Sequence, residues 1–428
     1  MNSIIIKKVF LFVFFIAFNV CSKEKKQPNI IIILTDDQGY GDLSCYGAEG
    51  FDTPNIDKMA KEGILFTDFY VSQAVCSASR ASLMTGSYSE RVGVQGALSP
   101  WNMGGLDPRK ETIAKLLKRN GYVNGIFGKW HLGHQDKYLP LQNGFDEYSG
   151  LICSNDMWPV DYDGKPFDEK RKSYYPPMYF WEGNKPGTEI KDLNDQSKLT
   201  TILTEKAINW LTNKRDPSKP FILNLWHKAV HEKHLPAPRH KELFKGLPLP
   251  EPPYNTHKET FEGKPEWQRR KTFGFRWDKN KEIPKVLKEK KWPINKFKNM
   301  QLLRSLIAVD ESLGKVIKVL IDLGELENTV VIYSSDNGYF MGEHTYRDKR
   351  LAYENSMRVP MIIRYPKMIK KGSSIEEQCL NIDVAPTILD LAGIPQPDNM
   401  QGESMVNLLK GKKAVSYTHL TLPTSDLV

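Results

Sequence analysis

Two short polar clusters each follow an apolar stretch that has the length of a β-strand. Asp36 and Asp37 come directly after residues 29–35, and Asp336 and Asn337 come directly after residues 329–335. Adjacent carboxylates repel each other, and burying them costs free energy unless a cation or positive side chains lie between them. Carboxylate and amide oxygens suit Ca²⁺, and Mg²⁺ less comfortably. Each pair alone would also fit a cap or turn, so the predicted calcium site depends on both pairs meeting.

A third cluster, VCSASRASLMTG at residues 75–86, contains a cysteine ahead of a predicted short helix. It places Cys76 four residues before Arg80 and ends in the letters LMTG. This pattern resembles the signature by which sulfatases mature a cysteine to formylglycine: cysteine, any residue, proline or alanine, any residue, arginine, and then an LxTG ending. A buried structural cysteine would not explain this pattern together with the two acidic clusters. Ala78 stands where proline is commonest in the family, which leaves the maturation route open.

Further segments similar to the sulfatase family extend the resemblance over residues 28 to about 411. GYVNGIFGKWHLG contains Lys129 and His131, HKAVHEKH contains His231, and YRDKR contains Lys349. The resemblance implies a formylglycine-generating maturation enzyme as a partner. It implies the following catalytic residues: Cys76, Arg80, Lys129, His131, His231 and Lys349. It implies the following ligands of one Ca²⁺ ion: Asp36, Asp37, Cys76, Asp336 and Asn337.

The reaction that the resemblance implies is hydrolysis of a sulfate ester. Such an ester carries a negative charge that repels nucleophiles, so cations must surround the sulfur. Formylglycine at position 76 supplies the attacking hydroxyl, supported by Arg80 and His131, and the family pattern assigns protonation of the leaving alkoxide to His231, aided by Lys349. A desolvated Lys129 must find an anionic partner or shift its pKa. Two nearby histidines leave alternatives open: His227 supports the site without reacting, or His234 contacts the substrate.

The elements that must position these residues follow from the apolar pattern. Strand-length stretches alternate with helical periodicity, which predicts an α/β fold with a mostly parallel central sheet flanked by helices. The predicted strands are residues 29–35, 64–70, 122–127, 220–226, 329–335 and 360–365, and the predicted helices are residues 55–62, 112–120, 199–213 and 300–323. Ligands of such sheets bind at the carboxyl ends of the strands, and residues 134–198 and 236–299 are predicted to be long loops over that edge. The resemblance also implies a small antiparallel C-terminal subdomain, which we expect to be largely missing.

Charge is concentrated in one part of the chain. The formal net charge is +9, and residues 258–298 contain fourteen Lys or Arg against six Asp or Glu. Trp267, Trp277 and Trp292 are interleaved there, which suits a sulfated carbohydrate that offers sugar faces and sulfate groups. A solvated, lysine-rich insertion fits equally well. No RNA- or DNA-binding module accompanies the charge, so nucleic acid is not an expected partner.

Two other functions remain open from the sequence. A phosphodiesterase or phosphonate hydrolase of the alkaline phosphatase superfamily would share the metal site and the strand order, although such relatives often carry extra metal ligands and a threonine or serine nucleophile. A non-catalytic lipoprotein that binds sulfated glycans would keep Cys76 unmodified. The CSASR letters and the donor set for a single metal favour the sulfatase.

Both ends of the chain carry segments that we expect to lie outside the fold. Residues 1–20 resemble an export signal, and Cys21 with residues 21–27 resembles the acylated cysteine and tether of a bacterial lipoprotein, with plain cleavage as the alternative. We therefore expect an exported protein, periplasmic or attached to the membrane of the cell envelope through a lipid. Residues 415–424 resemble a translated sequencing adapter, and residues 415–428 are predicted to be a non-native tail, with a genuine strand-like tail as the alternative. This leaves 28–414 as the catalytic domain. Modification of Cys76 would leave an odd three of the cysteines after Cys21, so a disulfide framework is not expected.

Overall fold

The computed structural model describes residues 27–160, 165–172, 175–246 and 296–412. Residues 1–20, Cys21, the three tryptophans of the basic segment and the predicted tail lie outside this part. The described strands are β1 (Asn29–Thr35), β2 (Ile64–Phe66), β3 (Phe69–Tyr70), β4 (Val123–Lys129), β5 (Glu147–Leu151), β6 (Tyr179–Glu182), β7 (Lys185–Glu189), β8 (Phe221–Trp226), β9 (Thr329–Ser335), β10 (Phe340–Met341), β11 (Arg347–Asp348), β12 (Met361–Arg364), β13 (Ser373–Ile375) and β14 (Cys379–Leu380). The described α-helices are α1 (Pro54–Glu62), α2 (Cys76–Thr85), α3 (Ile113–Arg119), α4 (Glu169–Lys172), α5 (Leu193–Ser197), α6 (Leu199–Asn209), α7 (Lys296–Asp322), α8 (Glu354–Met357), α9 (Val384–Ala392) and α10 (Val406–Leu409).

Ten of these strands form one sheet, in the order β13-β2-β12-β9-β1-β8-β4-β5-β6-β7. The five central strands from β9 to β5 are all parallel to one another. Antiparallel pairing joins β12 to β9 on one side and β6 to β5 on the other. The prediction of a mostly parallel central sheet is therefore confirmed.

The central strands are apolar throughout because both faces of the sheet are covered. All seven residues of β1 are buried, and its side chains alternate between two cores. Ile30, Ile32 and Leu34 contribute to the core that includes α2, α3 and α9. Ile31 and Ile33 contribute to the core that includes α1, α6 and α7. A strand buried on both faces reads as a continuous apolar run rather than an alternating one.

The long helix α7 covers one face of the sheet with an apolar stripe. Its buried positions recur at intervals of three and four residues, which places them on one side of a helix. They are Leu302, Leu306, Val309, Leu313, Val316 and Leu320. Asp310 of the same helix accepts hydrogen bonds from the backbone N–H groups of Asn55 and Ile56, each at 2.9 Å. The side chain of one helix thus satisfies the first free N–H groups of α1, and this fixes the two helices relative to each other.

Two parts of the sheet differ from the prediction. The predicted loop of residues 134–198 contains β5, β6 and β7, and β5 is one of the five parallel strands. The predicted strand 64–70 is split at Thr67 and Asp68: β2 joins the main sheet, whereas β3 pairs with β14. The hydroxyl of Thr67 donates to the carboxylate of Asp68 at 2.6 Å, and the backbone N–H of Cys379 donates to the Asp68 carbonyl at 3.0 Å. These local bonds redirect the chain from one sheet to the other.

The four cysteines in the described residues form no disulfide with one another. Packing and hydrogen bonding therefore hold this part of the chain together without such cross-links. Among the helices of the described residues, none is long and apolar enough to cross a bilayer.

Candidate active site

The carboxyl ends of β1 and β9 bring the two acidic clusters together. Thr35 and Ser335 are paired at the ends of these neighbouring strands, so Asp36 and Asp336 leave the sheet side by side. The Asp336 carboxylate accepts a hydrogen bond from the backbone N–H of Asp37 at 3.2 Å. The amide of Asn337 donates to the carboxylate of Asp37 at 2.7 Å. Four of the five side chains predicted to bind a metal, all except Cys76, thus lie in one cluster, and each of the four is buried.

Three oxygen atoms of this acidic cluster accept no hydrogen bond from the described residues. Oδ1 of Asp36, Oδ2 of Asp37 and Oδ1 of Asn337 are buried and make no hydrogen bond. Ligand atoms of Asp36, Asp37 and His231 lie within 4.8 Å of one another, as do those of Asp36, Cys76 and Asp336. Buried polar atoms are normally satisfied, so converging oxygens without donors indicate a cation site. Hard oxygen donors of this kind suit Ca²⁺.

Three buried cations are paired with the three carboxylates. Nζ of Lys129 lies 2.6 Å from Oδ2 of Asp36, and Nε of Arg80 lies 2.9 Å from Oδ2 of Asp336. The ammonium of Lys349 donates to Oδ1 of Asp37. The formal charges of these six side chains cancel. A bound divalent cation would leave the cluster with a net charge of +2, and an anionic substrate would be attracted to it.

The pKa values follow from this crowding. Burial alone would lower the pKa of Lys129, but the adjacent Asp36 carboxylate raises it above its usual value. Burial likewise opposes the charged form of Asp36, yet Lys129 and the other cations hold its pKa well below the usual range. Burial and the charge of Asp36 together raise the pKa of Asp336. The anionic partner that the sequence requires for Lys129 is therefore Asp36, and Asp336 is the carboxylate whose charge a metal would stabilise most.

Cys76 lies at the first position of α2, beside this charged cluster. Its side chain is 2% exposed, and Nζ of Lys349 lies 3.9 Å from its Sγ atom. The N-terminus of a ten-residue helix carries free N–H groups and a partial positive charge, which favour an anion there. Gly86 directly follows the last residue of this helix and has a left-handed φ of 60°. A Cβ atom at Gly86 would lie 2.4 Å from the side chain of Met400. The final glycine of the LMTG letters is thus required by the turn and by close packing.

The two imidazoles of the site differ in charge state. Nε2 of His131 donates to the Leu98 carbonyl at 2.7 Å, and its Nδ1 is buried without a partner. Burial, followed by Lys129 and Arg80, lowers the pKa of His131 well below its usual value, so this ring is neutral and Nδ1 is an acceptor. His231 Nε2 lies 3.4 Å from Oδ2 of Asp37. Burial alone would lower the pKa of His231, but Asp37 and then Asp36 raise it, so this ring can carry a proton to donate.

Several of these residues have left-handed backbone conformations that ordinarily favour glycine. The φ angles are 64° at Asp37 and 58° at His131, and 72° and 83° at Asp348 and Arg350, which flank Lys349. Each such conformation costs about 1–3 kcal/mol and persists only where the surrounding structure enforces it. Four of the six non-glycine residues with positive φ in the described part of the chain therefore lie in or beside this site. These conformations lower the stability of the fold, and they orient the side chains of the site toward a common point.

The other two histidines of the HKAVHEKH segment lie outside the charged cluster. Nε2 of His227 is 3.0 Å from the hydroxyl of Ser312 in α7, and burial lowers the pKa of His227 to about 3. Burial lowers the pKa of His234 to about 4, and its Nδ1 hydrogen-bonds with the Val230 carbonyl. The hydrogen bond of His227 connects β8 to α7, and the supporting role considered for it stays a prediction. For His234, these bonds tie the ring to its own loop.

The structure also adds residues that the sequence patterns did not reveal. Two of them follow β5. Ser154 Oγ lies 3.5 Å from Nε2 of His231. Asp156 is exposed to solvent, and its pKa is lowered to about 2 because His231 and the Ser154 hydroxyl outweigh the desolvation of its carboxylate. A third addition is Lys228, which is buried and whose pKa burial lowers to about 7. A prediction of β5 as a parallel strand would have directed attention to Ser154 and Asp156, because they lie at its carboxyl end.

Comparisons with known proteins identify the family of this chain. The family model described as Sulfatase matches residues 28–394. N-acetylglucosamine-6-O-sulfatase of Bacteroides thetaiotaomicron is 32% identical over 466 aligned positions, which cover 96% of this chain and 77% of that protein. N-acetylgalactosamine-6-sulfatase of Rattus norvegicus is 30% identical over 392 positions, which cover 87% of this chain and 63% of that protein. The chain thus spans just under two thirds of the rat relative.

A solved structure also resembles the fold of this chain. A protein solved in complex with its substrate D-glucosamine-2-N,6-O-disulfate superimposes with a TM-score of 0.71 and 31% sequence identity. The superposition covers 90% of this chain and 81% of that one.

Proposed function

This chain belongs to the sulfatase family, and we propose that it removes sulfate from a 6-O-sulfated amino sugar with Ca²⁺ and a formylglycine derived from Cys76. The observation that carries the proposal is the meeting of three elements at one sheet edge. Cys76 begins a helix there, buried carboxylate oxygens without partners lie beside it, and three cations surround both. A cysteine with only a structural role, together with polar residues that only form caps and turns, would not require this arrangement.

Both implied groups fit the residues that are present. The unpartnered oxygens of Asp36, Asp37 and Asn337 are hard donors for Ca²⁺, and the Sγ atom of Cys76 stands where the oxygen of formylglycine would lie. When bound, Ca²⁺ acts as a Lewis acid toward oxygen, and formylglycine supplies an oxygen nucleophile that a thiol lacks. Asp36, Asp37, Asp336 and Asn337 would hold the ion, together with the group at position 76.

The side chains around Cys76 perform the remaining tasks. Lys129 and Lys349 attract the sulfate and stabilise the negative charge that develops on its oxygens. Arg80 fixes Asp336, and its guanidinium donates to the Lys129 carbonyl at 2.5 Å, so it orders the end of β4 as well. Nδ1 of neutral His131 accepts a proton near the nucleophile. Protonated His231 donates a proton to the leaving oxygen of the sugar, which would otherwise depart as a poor alkoxide leaving group.

The sugar is inferred from the relatives. The bacterial relative is named for 6-O-sulfated N-acetylglucosamine, the rat relative for 6-sulfated N-acetylgalactosamine, and the solved structure holds a 2-N,6-O-disulfated glucosamine. All three names share a hexosamine sulfated at position 6. We therefore place this chain's substrate in that class, as part of a sulfated glycan.

Maturation and export are part of the same proposal. Cys76 is 2% exposed in the folded chain, so an enzyme that oxidises it must act before α2 packs into the core. Residues 1–20 would export the chain, and Cys21 would attach it by a lipid to the bacterial cell envelope or be removed by plain cleavage. Lipid attachment and plain cleavage are distinguished by labelling cells with an alkyne palmitate and analysing the protein by gel electrophoresis. Lipid attachment predicts a label that is lost in Cys21→Ala, and plain cleavage predicts no label.

The function is tested by sulfate release. The chain, made in a host with a maturation enzyme, is given 6-sulfated N-acetylglucosamine, 6-sulfated N-acetylgalactosamine, a 3-sulfated isomer and a phosphonate monoester. We expect release from 6-sulfated sugars, loss of release in Cys76→Ala, and loss after chelation of calcium. Hydrolysis of the phosphonate alone would favour the phosphonate hydrolase, and tight glycan binding without turnover in matured protein would favour the non-catalytic lipoprotein.

A further inference from the structure

An exposed aromatic turn lies close to the candidate active site. In the described part of the chain, four large apolar side chains are exposed: Trp101, Met103, Ile321 and Leu323. Two of them, Trp101 at 46% and Met103 at 75% exposure, lie on the turn of residues 98–103. Exposed apolar clusters of this kind mark ligand-binding surfaces more often than scattered single side chains do.

The turn is held rigidly by its own hydrogen bonds. The backbone N–H of Asn102 donates to the Ser99 carbonyl at 3.0 Å, and the backbone N–H and hydroxyl of Ser99 both donate to the side-chain carbonyl of Asn102 at 2.6 Å. Pro100 occupies the second position of this turn, where its fixed φ is favoured. Trp101 therefore projects from a preorganised tip and loses little backbone freedom when it binds a ligand.

The base of the turn is attached to the active site. The backbone N–H of Leu98 donates to the hydroxyl of Ser77 at 3.0 Å, next to Cys76 in α2. The carbonyl of Leu98 accepts the hydrogen bond from Nε2 of His131. Because Trp101 is three residues further along, its Cα atom lies at most about 11 Å from that of Leu98. The aromatic tip is thus connected through a short segment to the residue beside the predicted nucleophile.

A second loop meets the turn through aromatic rings. The ring of Tyr175 lies 5.9 Å from that of Trp101, and the ring of Phe167 lies 6.0 Å from that of Tyr175. Phe167 is fixed by its backbone N–H, which donates to the Pro159 carbonyl at 3.1 Å. The same loop begins at Ser154, beside His231. Two loops, each bonded to a histidine of the site, therefore converge on one aromatic surface.

We propose that Trp101 and Tyr175 form a platform for the sugar ring next to the sulfated unit, a subsite that rests on the proposed function. The sulfate must reach Cys76, which is buried, whereas Trp101 lies at the outer surface. The ring that contacts the platform is therefore the neighbouring unit of the glycan rather than the one that carries the scissile sulfate. Its apolar C–H face stacks on the indole, and the chain thereby distinguishes an oligosaccharide from a free monosaccharide.

The platform is tested with matched substrates and variants. The substrates are 6-sulfated N-acetylglucosamine and a trisaccharide that carries the same sulfated unit at its non-reducing end. An aromatic contact contributes roughly 0.5–1.5 kcal/mol, which corresponds to about a 2- to 12-fold change. We expect Trp101→Ala to raise the trisaccharide KM by about that factor with unchanged kcat, and to leave the monosaccharide KM unaltered. Trp101→Phe should retain most of the affinity, and Leu323→Ala, an exposed apolar site elsewhere, should match the wild type.

Binding measurements separate this inference from the proposed function. The trisaccharide is titrated calorimetrically into Cys76→Ala and into the double variant Cys76→Ala, Trp101→Ala, neither of which turns it over. The Kd of the double variant should exceed that of Cys76→Ala by about the same factor as the change in KM. If Trp101→Ala weakens the monosaccharide and the trisaccharide equally, the turn only supports His131 and the platform is refuted. Equal trisaccharide affinities with and without Trp101→Ala would also overturn the platform. If the wild type releases no sulfate while the affinity ratio persists, the platform stands and the proposed function fails.

Discussion

Calcium should stabilise the folded chain, and replacement of Asp37 by asparagine should abolish most of that effect. Asp37→Asn keeps the shape of the side chain but removes one charge from the cluster of Asp36, Asp37 and Asp336. The buried oxygens in this cluster that accept no hydrogen bond are incompletely compensated for lost solvation, and a bound cation would supply the rest. Because a cation binds only where these carboxylates converge, it binds the folded state and shifts the unfolding equilibrium.

The size of the shift follows from linkage. Calcium at about 100 times its dissociation constant adds about 2.7 kcal/mol, and at about 1,000 times adds about 4.1 kcal/mol. For the 367 residues of the family match, the unfolding entropy is roughly 0.8 kcal/mol per kelvin. The midpoint of thermal unfolding should therefore rise by about 3–5 °C. Loss of a charged ligand weakens binding by about 100-fold, which reduces the shift at the same calcium concentration to about 0.5–2 °C.

Differential scanning fluorimetry with calcium against a chelator measures these shifts. Asp156→Asn is the matched control, since this carboxylate lies near His231 but outside the clusters that could hold a metal. It should keep the full shift, and Mg²⁺ should give a smaller one because it demands stricter octahedral geometry. A wild type without a calcium-dependent shift would refute the reasoning, as would an Asp37→Asn variant that retains it.

Four further outcomes are expected. Lys349→Met should lower kcat by about 100-fold because a cation at the reacting group is lost, whereas exposed Lys367→Met should not, as steady-state kinetics will show. His231→Gln should slow release from a sugar sulfate by at least about 100-fold but affect a nitrophenyl sulfate far less, because a good leaving group needs no proton; equal slowing of both would exclude a general acid. Asp310→Ala should cost about 2–4 kcal/mol in denaturant unfolding, since it leaves two backbone N–H groups at the start of α1 without acceptors. Burial raises the pKa of Asp42 to about 7, so ionisation of this carboxyl destabilises the folded state as pH rises from about 4 through 7. Asp42→Asn cannot ionise, so its midpoint of thermal unfolding should exceed that of the wild type at pH 8 but not at pH 5.

Much of the central sheet can be predicted from local sequence because its strands are buried on both faces. The predicted bounds of β1 and β9 agree with the structure residue for residue. The polar residues directly after them then have to lie at one edge, which is why Asp36 and Asp336 could be placed near each other. This part of the prediction depends only on strand ends and on parallel pairing.

The strand β5 could not be predicted because its local sequence is not apolar. EYSGL includes Gly150, and a Cβ atom there would lie 1.9 Å from the carbonyl oxygen of Gly128 on β4. The strand is therefore defined by close backbone contact between two distant glycines, which no local pattern records. The residues at its carboxyl end, Ser154 and Asp156, were missed for the same reason.

The choice of ion-pair partners was also beyond the sequence. Lys129 and Asp36 are separated by 93 positions, and Lys349 and Asp37 by 312. Residue types predict that each lysine needs a carboxylate, but four carboxylate or amide side chains were available. The order of the strands, with β4 two places from β1 and joined to it through β8, brings Lys129 to Asp36, whereas Lys349 follows β11 in a separate two-stranded sheet.

The central claim is that Cys76 is the precursor of the nucleophile, and peptide mass spectrometry tests it most directly. Matured protein is digested, the fraction of modified Cys76 peptide is measured, and sulfate release from 6-sulfated N-acetylglucosamine is measured on the same preparations. The account predicts a peptide about 18 Da lighter than the thiol form, and activity proportional to its fraction across preparations. Full activity in protein whose Cys76 remains a thiol would contradict the account, as would complete modification without any sulfate release.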